Sequence, residues 1–91
     1  MPDEYSYPID ADWTTEEIID VVEFFETIER AYGAGISPEE LREKYRRFKA
    51  VIPSKSEEKT VFKAFKKSSG FEAYTAVKQL KESEDGRTIK I

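Results

Sequence analysis

The chain has 91 residues and a net charge of −4, with 37% charged, 38% hydrophobic and 13% aromatic residues. That is room for a single domain, 1–91, around one small core. It has no cysteine and no histidine, so disulfides, thiolate metal sites and Ser-His-Asp or Cys-His catalysis fall away, and no ordinary zinc site is expected.

Residues 1–12 read as an extended, acidic lead-in. Tyr7-Pro8 biases Tyr7 away from helix, and Asp10 and Asp12 are turn formers ahead of Trp13. Thr14 with Glu17 three residues on fits a capping box, which opens a first helix over about 15–32 with Trp13 as a staple onto Ile18. The apolar stripe at helical spacing is Ile18, Val21, Val22, Phe25, Ile28 and Tyr32. Phe24 and Ile19 fall on either side of it, so either the buried face is wide or these two are exposed contact residues. Gly33 and Gly35 end the helix.

Ser37-Pro38-Glu39-Glu40 is the clearest local signal: a cap, a proline at the first helical position, and Glu40 closing the box. It predicts a second helix over 38–51, with Leu41, Tyr45, Phe48 and Ile52 inward and Pro53 as the stop. Ser54 and Glu57 open a third over 55–68, buried through Val61, Phe62 and Phe65, with Gly70 as its C-cap. A fourth, over 72–83, turns Ala73, Ala76, Val77 and Leu80 inward, with Tyr74 at the boundary and Phe71 plugging the corner before it. Asp85-Gly86 is a turn, and Thr88-Ile89-Lys90-Ile91 is a short, β-prone tail that can fray. Four amphipathic stripes joined by short loops imply an all-α fold, a bundle or array of about four helices.

Charge is segregated along the chain. Residues 1–43 carry thirteen acids and two bases, and residues 44–91 carry six acids and thirteen bases. The bases crowd the second and third helices. Arg42, Arg46, Arg47, Lys49, Lys55 and Lys59 form the candidate interaction surface, with Lys44, Lys63, Lys66 and Lys67 in the same cluster. Such a surface can meet an acidic partner or phosphates. The preferred reading of the cluster itself is the solvated side of two helices, neutralised within the molecule by the acidic first helix. In Tyr45-Arg46-Arg47-Phe48-Lys49, arginines beside aromatics can grip a carboxylate or phosphate, but an internal ion pair with Glu43 or a first-helix acid is the preferred reading. Glu29 falls within the apolar stripe. Buried, it would need Arg46 or Arg47, and the preferred reading leaves it solvated.

The chemistry of catalysis is thin. The glycines Gly33, Gly35, Gly70 and Gly86 build no phosphate-cradling loop, and no spacing of carboxylates, Lys, Tyr or Ser points to a reactive pocket. No enzyme and no cofactor are expected. No apolar run nears the ~20 residues of a spanning helix, and the start MPDEYSYPID is too acidic and polar for a secretory signal, so a cytoplasmic protein without a membrane partner is expected.

Longer stretches carry a resemblance. Tyr7-Pro8-Ile9-Asp10-Ala11-Asp12-Trp13-Thr14-Thr15-Glu16-Glu17-Ile18-Ile19-Asp20-Val21 resembles the N-terminal signature of the YktA-like proteins, small uncharacterised proteins of bacilli and related low-GC Gram-positive bacteria. Tyr45-Arg46-Arg47-Phe48-Lys49-Ala50-Val51-Ile52-Pro53-Ser54-Lys55-Ser56-Glu57-Glu58-Lys59 is similar to their second signature, and Ser69-Gly70-Phe71 with Tyr74 to a third, weaker one. The resemblance covers nearly the whole chain and implies a compact helical fold and a bacterial cytoplasmic origin. It implies no activity and no functional residues.

The leading expectation is a small protein-interaction or regulatory module using the basic face of the second and third helices. One alternative is RNA or another polyanion on the same face, with less weight because the whole chain is acidic. Another is a homo-oligomer that sets the acidic first helix of one copy against the basic face of the next. A monomer or weak homodimer is expected.

Overall fold

Four amphipathic segments become four helices in the computed structural model, which describes residues 10–82 and 87–91. They are α1 (Thr15–Tyr32), α2 (Pro38–Val51), α3 (Lys55–Ser69) and α4 (Ala73–Glu82). The all-α class and the number of helices are as the sequence predicts. Among the described residues, β pairing is confined to one isolated antiparallel bridge, Ile36 with Ile89. Residues 1–9 of the expected lead-in and the Asp85-Gly86 turn lie outside the described residues.

The helix starts follow from side-chain oxygens placed to meet unpaired backbone N–H groups. Thr14 Oγ1 accepts from the Glu17 N–H at 3.1 Å, and Glu17 Oε1 accepts from the Thr14 N–H at 2.9 Å, the full box. Ser37 and Ser54 accept from the Glu40 and Glu57 N–H groups at 3.2 and 3.3 Å. The predicted box at Ser37 is only half formed, because the Glu40 carboxylate turns away to meet Arg30. α4 starts at Ala73, one residue later than expected. The Glu72 backbone is engaged by Tyr32, whose hydroxyl accepts from the Glu72 N–H at 3.0 Å and donates to its carbonyl at 3.3 Å.

The core is aromatic. Phe24 stacks on Phe48 with ring centroids 4.6 Å apart, and Phe25 stacks on Phe65 at 4.2 Å. Phe62 lies against Phe48 at 5.6 Å and Phe24 at 5.9 Å. Such pairs add dispersion and quadrupole attraction to plain burial. Phe24 is fully buried and Ile19 is exposed, so the two off-stripe residues of α1 have opposite fates. The buried face of α1 is rotated toward Phe24, Thr27 and Ala31, leaving Ile18, Val22 and Tyr32 half-buried. The cause is that α2 and α3 bring Phe48 and Phe62 onto the Phe24 side. Phe71 does plug a corner, but it stacks on Tyr32 of α1 at 4.7 Å as well as lying 6.4 Å from Phe65 of α3.

The C-terminal tail is tied down where the sequence suggests fraying. Ile36 and Ile89 exchange both backbone hydrogen bonds, at 2.9 and 2.7 Å, and the Ile91 N–H donates to the Ala31 carbonyl at 2.8 Å. Ile89 is buried in the core cluster. Gly35 makes this approach possible. Its φ is +107°, and a Cβ there would sit 2.7 Å from Thr88 Cγ2, so both the backbone and the space favour glycine.

Candidate functional site

The cationic residues of α2 divide between two flanks. Leu41, Phe48 and Ile52 set the buried side. On one flank Lys44 reaches Glu23 of α1 at 2.8 Å. Arg47 lies on that same side, lining a shallow recess of about 310 Å³ with Glu16, Ile19 and Asp20 of α1. On the other flank stand Tyr45 and Lys49. Helical geometry dictates this, since residues three or four apart share a face while neighbours diverge by about 100°.

Arg46 and Arg47 both bind Glu43, at 2.8 and 3.0 Å, the internal ion pair that the sequence favours. Hydrogen bonding to Arg46 holds the Glu43 carboxyl below the usual carboxylate range, and the same bond raises Arg46. Arg30 clasps Glu40 in a fork, at 2.7 and 3.0 Å, which lowers Glu40 and raises Arg30. Glu29 is half-buried at the edge of α1.

The flank bearing Tyr45 and Lys49 opens into a groove of about 670 Å³ between α2, α3 and α4. Val77 and Phe62 form an apolar floor. Tyr74, 58% exposed, stands on the α4 wall. Six lysines surround these residues: Lys49, Lys55, Lys59, Lys63, Lys66 and Lys81. Two are neutralised, Lys49 by Glu58 at 3.0 Å and Lys66 by Glu72 at 3.4 Å. Lys55, Lys59, Lys63 and Lys81 have no acid within ion-pair distance among the described residues.

Glu58 organises the α2 end of the groove. Its side chain is 12% exposed. One carboxylate oxygen accepts from the Tyr45 hydroxyl at 2.8 Å and the other from Lys49 Nζ at 3.0 Å. Lys49 also donates to the Pro53 carbonyl at 3.3 Å, which ties the α2–α3 corner to the same cluster. Burial first, and then the Glu58 hydrogen bond and charge, push the Tyr45 phenol well above its usual range.

Of the six sequence candidates, Lys49, Lys55 and Lys59 line this groove. Arg46 and Arg47 are held on Glu43 instead, and Arg42 is exposed outside the groove lining. Tyr74 and Lys81 of α4 join the groove without having been candidates. The available signal was their spacing: they are seven residues apart and share the same edge of α4's apolar stripe. No cluster of three or more potential metal-ligating side chains occurs among the described residues. No described helix is long and apolar enough to cross a membrane.

These features define a small four-helix protein with acidic residues on α1 and a lysine-rich groove to which α1 contributes nothing. The chain belongs to the uncharacterised protein family UPF0223, whose model matches residues 4–89. It is 57% identical over 88 residues to a UPF0223 protein of Lysinibacillus sphaericus, covering 97% of this chain and 93% of that one. It is 50% identical over 88 residues to one of Bacillus pumilus, covering 97% and 99%. A third, from Listeria monocytogenes serotype 4b, is 54% identical over 80 residues, covering 88% and 89%. The resemblance to small proteins of bacilli and related bacteria holds at the level of this family.

Proposed function

We propose that the protein is a small interaction module that binds an acidic segment of a partner protein in the groove between α2, α3 and α4. One observation carries the reading: four lysines without an acid partner among the described residues surround an apolar floor and an exposed tyrosine. A cationic rim around an apolar centre resembles the anatomy of protein-binding surfaces, where an aromatic core gives energy and rim charge gives steering. RNA is less well matched. The chain as a whole is acidic, with a net charge of −4, whereas a nucleic-acid footprint is typically carried by a basic domain.

The reading is non-catalytic, on the ground that the chain has neither histidine nor cysteine. It also sets the protein in the cytoplasm, which fractionation of native cells checks directly. The binding test is capture from native extract with the wild-type chain, Lys59→Glu/Lys63→Glu and Arg46→Glu/Arg47→Glu. A partner that binds through an acidic segment, is lost with the lysine reversal and is retained with the arginine reversal supports the proposal. Recovery indifferent to the lysine reversal overturns it.

A further inference from the structure

Resting on that reading, we infer that the acidic segment docks as an amphipathic helix laid along α3, apolar side down. The groove, here called the trough, lies between α2, α3 and α4. Lys55, Lys59 and Lys63 are four residues apart on one wall, a rise of about 6 Å per step. Tyr74 and Lys81 line the groove from α4, and Phe62 and Val77 contribute its apolar lining. The cationic wall therefore runs for about 12 Å, a little over two helical turns. A ligand helix has the matching repeat: acids at i, i+4 and i+8 face the three lysines in register, and an apolar stripe at i, i+3 and i+7 meets the floor.

The backbone decides against an extended ligand. The trough is walled by helices, whose interior N–H and C=O groups are already paired along the helix. Among the described residues, the isolated β pairing is the Ile36–Ile89 bridge, which involves none of the groove residues. A strand seated on Phe62 and Val77 would bury peptide groups with little to pair them, at a cost for each. A helix satisfies its own backbone and presents only side chains. Charge complementarity favours its composition, because four ammonium groups without an acid partner among the described residues select carboxylates on the edges of the helix.

The test uses two synthetic peptides of about 14 residues, both built from Leu, Glu and Ala. One places Glu at i, i+4 and i+8 beside a Leu stripe. The other is identical except that one central Ala is replaced by proline, which breaks the helix. Titration into the full chain, followed by NMR shifts and circular dichroism, is expected to show helix gained on binding. The intact peptide should bind at least about tenfold more tightly than the proline peptide, a difference of about 1.4 kcal/mol. Lys59→Glu/Lys63→Glu, whose lysines are exposed, should weaken the intact peptide at least tenfold while its own helicity is unchanged. Equal binding of both peptides, lost in the lysine variant, overturns the helical mode and leaves the groove reading standing. Absence of binding, or binding unaffected by the variant, overturns both. Two competitors name the other occupants. Oligouridylate that binds the trough more tightly than the intact peptide, or a homodimer that the peptide dissociates, also overturns the inference.

Discussion

Replacing Glu58 by glutamine keeps the shape of the side chain and removes its charge. In the wild-type protein one carboxylate holds the Tyr45 hydroxyl at 2.8 Å and the Lys49 ammonium at 3.0 Å, with the Glu58 side chain only 12% exposed. A glutamine carbonyl can keep one of these donors, but its NH2 group then faces the other. A hydrogen bond to a charged group contributes about 1.5–3 kcal/mol net, against about 1 for a neutral one. One charged bond is lost and one weakened, and residual exposure lets water replace part of the deficit. We expect E58Q to cost about 2 kcal/mol, which for a domain of this size lowers Tm by roughly 8–16 °C. Urea unfolding followed by circular dichroism measures it. Y45F in the same background supplies the control, since residues sharing one network should couple by about 1 kcal/mol. A cost for E58Q below about 0.5 kcal/mol, or strict additivity with Y45F, would refute the claim that Glu58 organises this corner.

Ultraviolet titration should show a phenol ionising well above the usual tyrosine range, and Y45F should remove it. Because the folded Tyr45 phenol is raised, its contribution to stability is complete below about pH 10 and declines as pH climbs beyond that. In E58Q it should still titrate late, though earlier than in wild type, because burial is the larger cause. At the acid end the sign reverses. Glu40 and Glu43 are lowered by Arg30 and Arg46, so their contribution is present above about pH 4.3 and fades as pH falls through their lower folded values. E40Q and E43Q should flatten that acid limb in unfolding curves taken from pH 6 down. G35A should cost about 2 kcal/mol, combining left-handed strain with the 2.7 Å approach to Thr88 Cγ2. G70A, also at positive φ but in open space, should cost only the backbone part, about 1 kcal/mol. Hydrogen exchange at Ile36 and Ile89 separates the two, because only G35A should expose those amides.

Most of the helical frame was legible from local chemistry. Thr14, Ser37 and Ser54 mark three of the four starts because a cap is decided within four residues, and Gly70 marks a stop for the same reason. What escaped depended on partners distant in sequence. The rotation of α1 toward Phe24 follows from the Phe48 and Phe62 rings, which periodicity within α1 does not contain. Glu40 leaves its cap for Arg30, ten residues earlier. The seating of Ile89 depends on Ile36, more than fifty residues away. The groove was half legible. The abundance of lysine on α3 was visible, and so was the pairing of Arg46 and Arg47 with Glu43. The division of α2 into two flanks and the second wall from Tyr74 and Lys81 needed the packing of α4.

A ligand should sit in the groove between α2, α3 and α4. Titration of the isotopically labelled chain with the intact acidic peptide, at low salt and again at about 0.5 M salt, tests this most directly. The expected result is shifted amides at Lys55, Lys59, Lys63, Tyr74 and Lys81, with the shifts collapsing at high salt. Shifts centred on α1 and Arg47 instead, or no shifts at either salt, would contradict it.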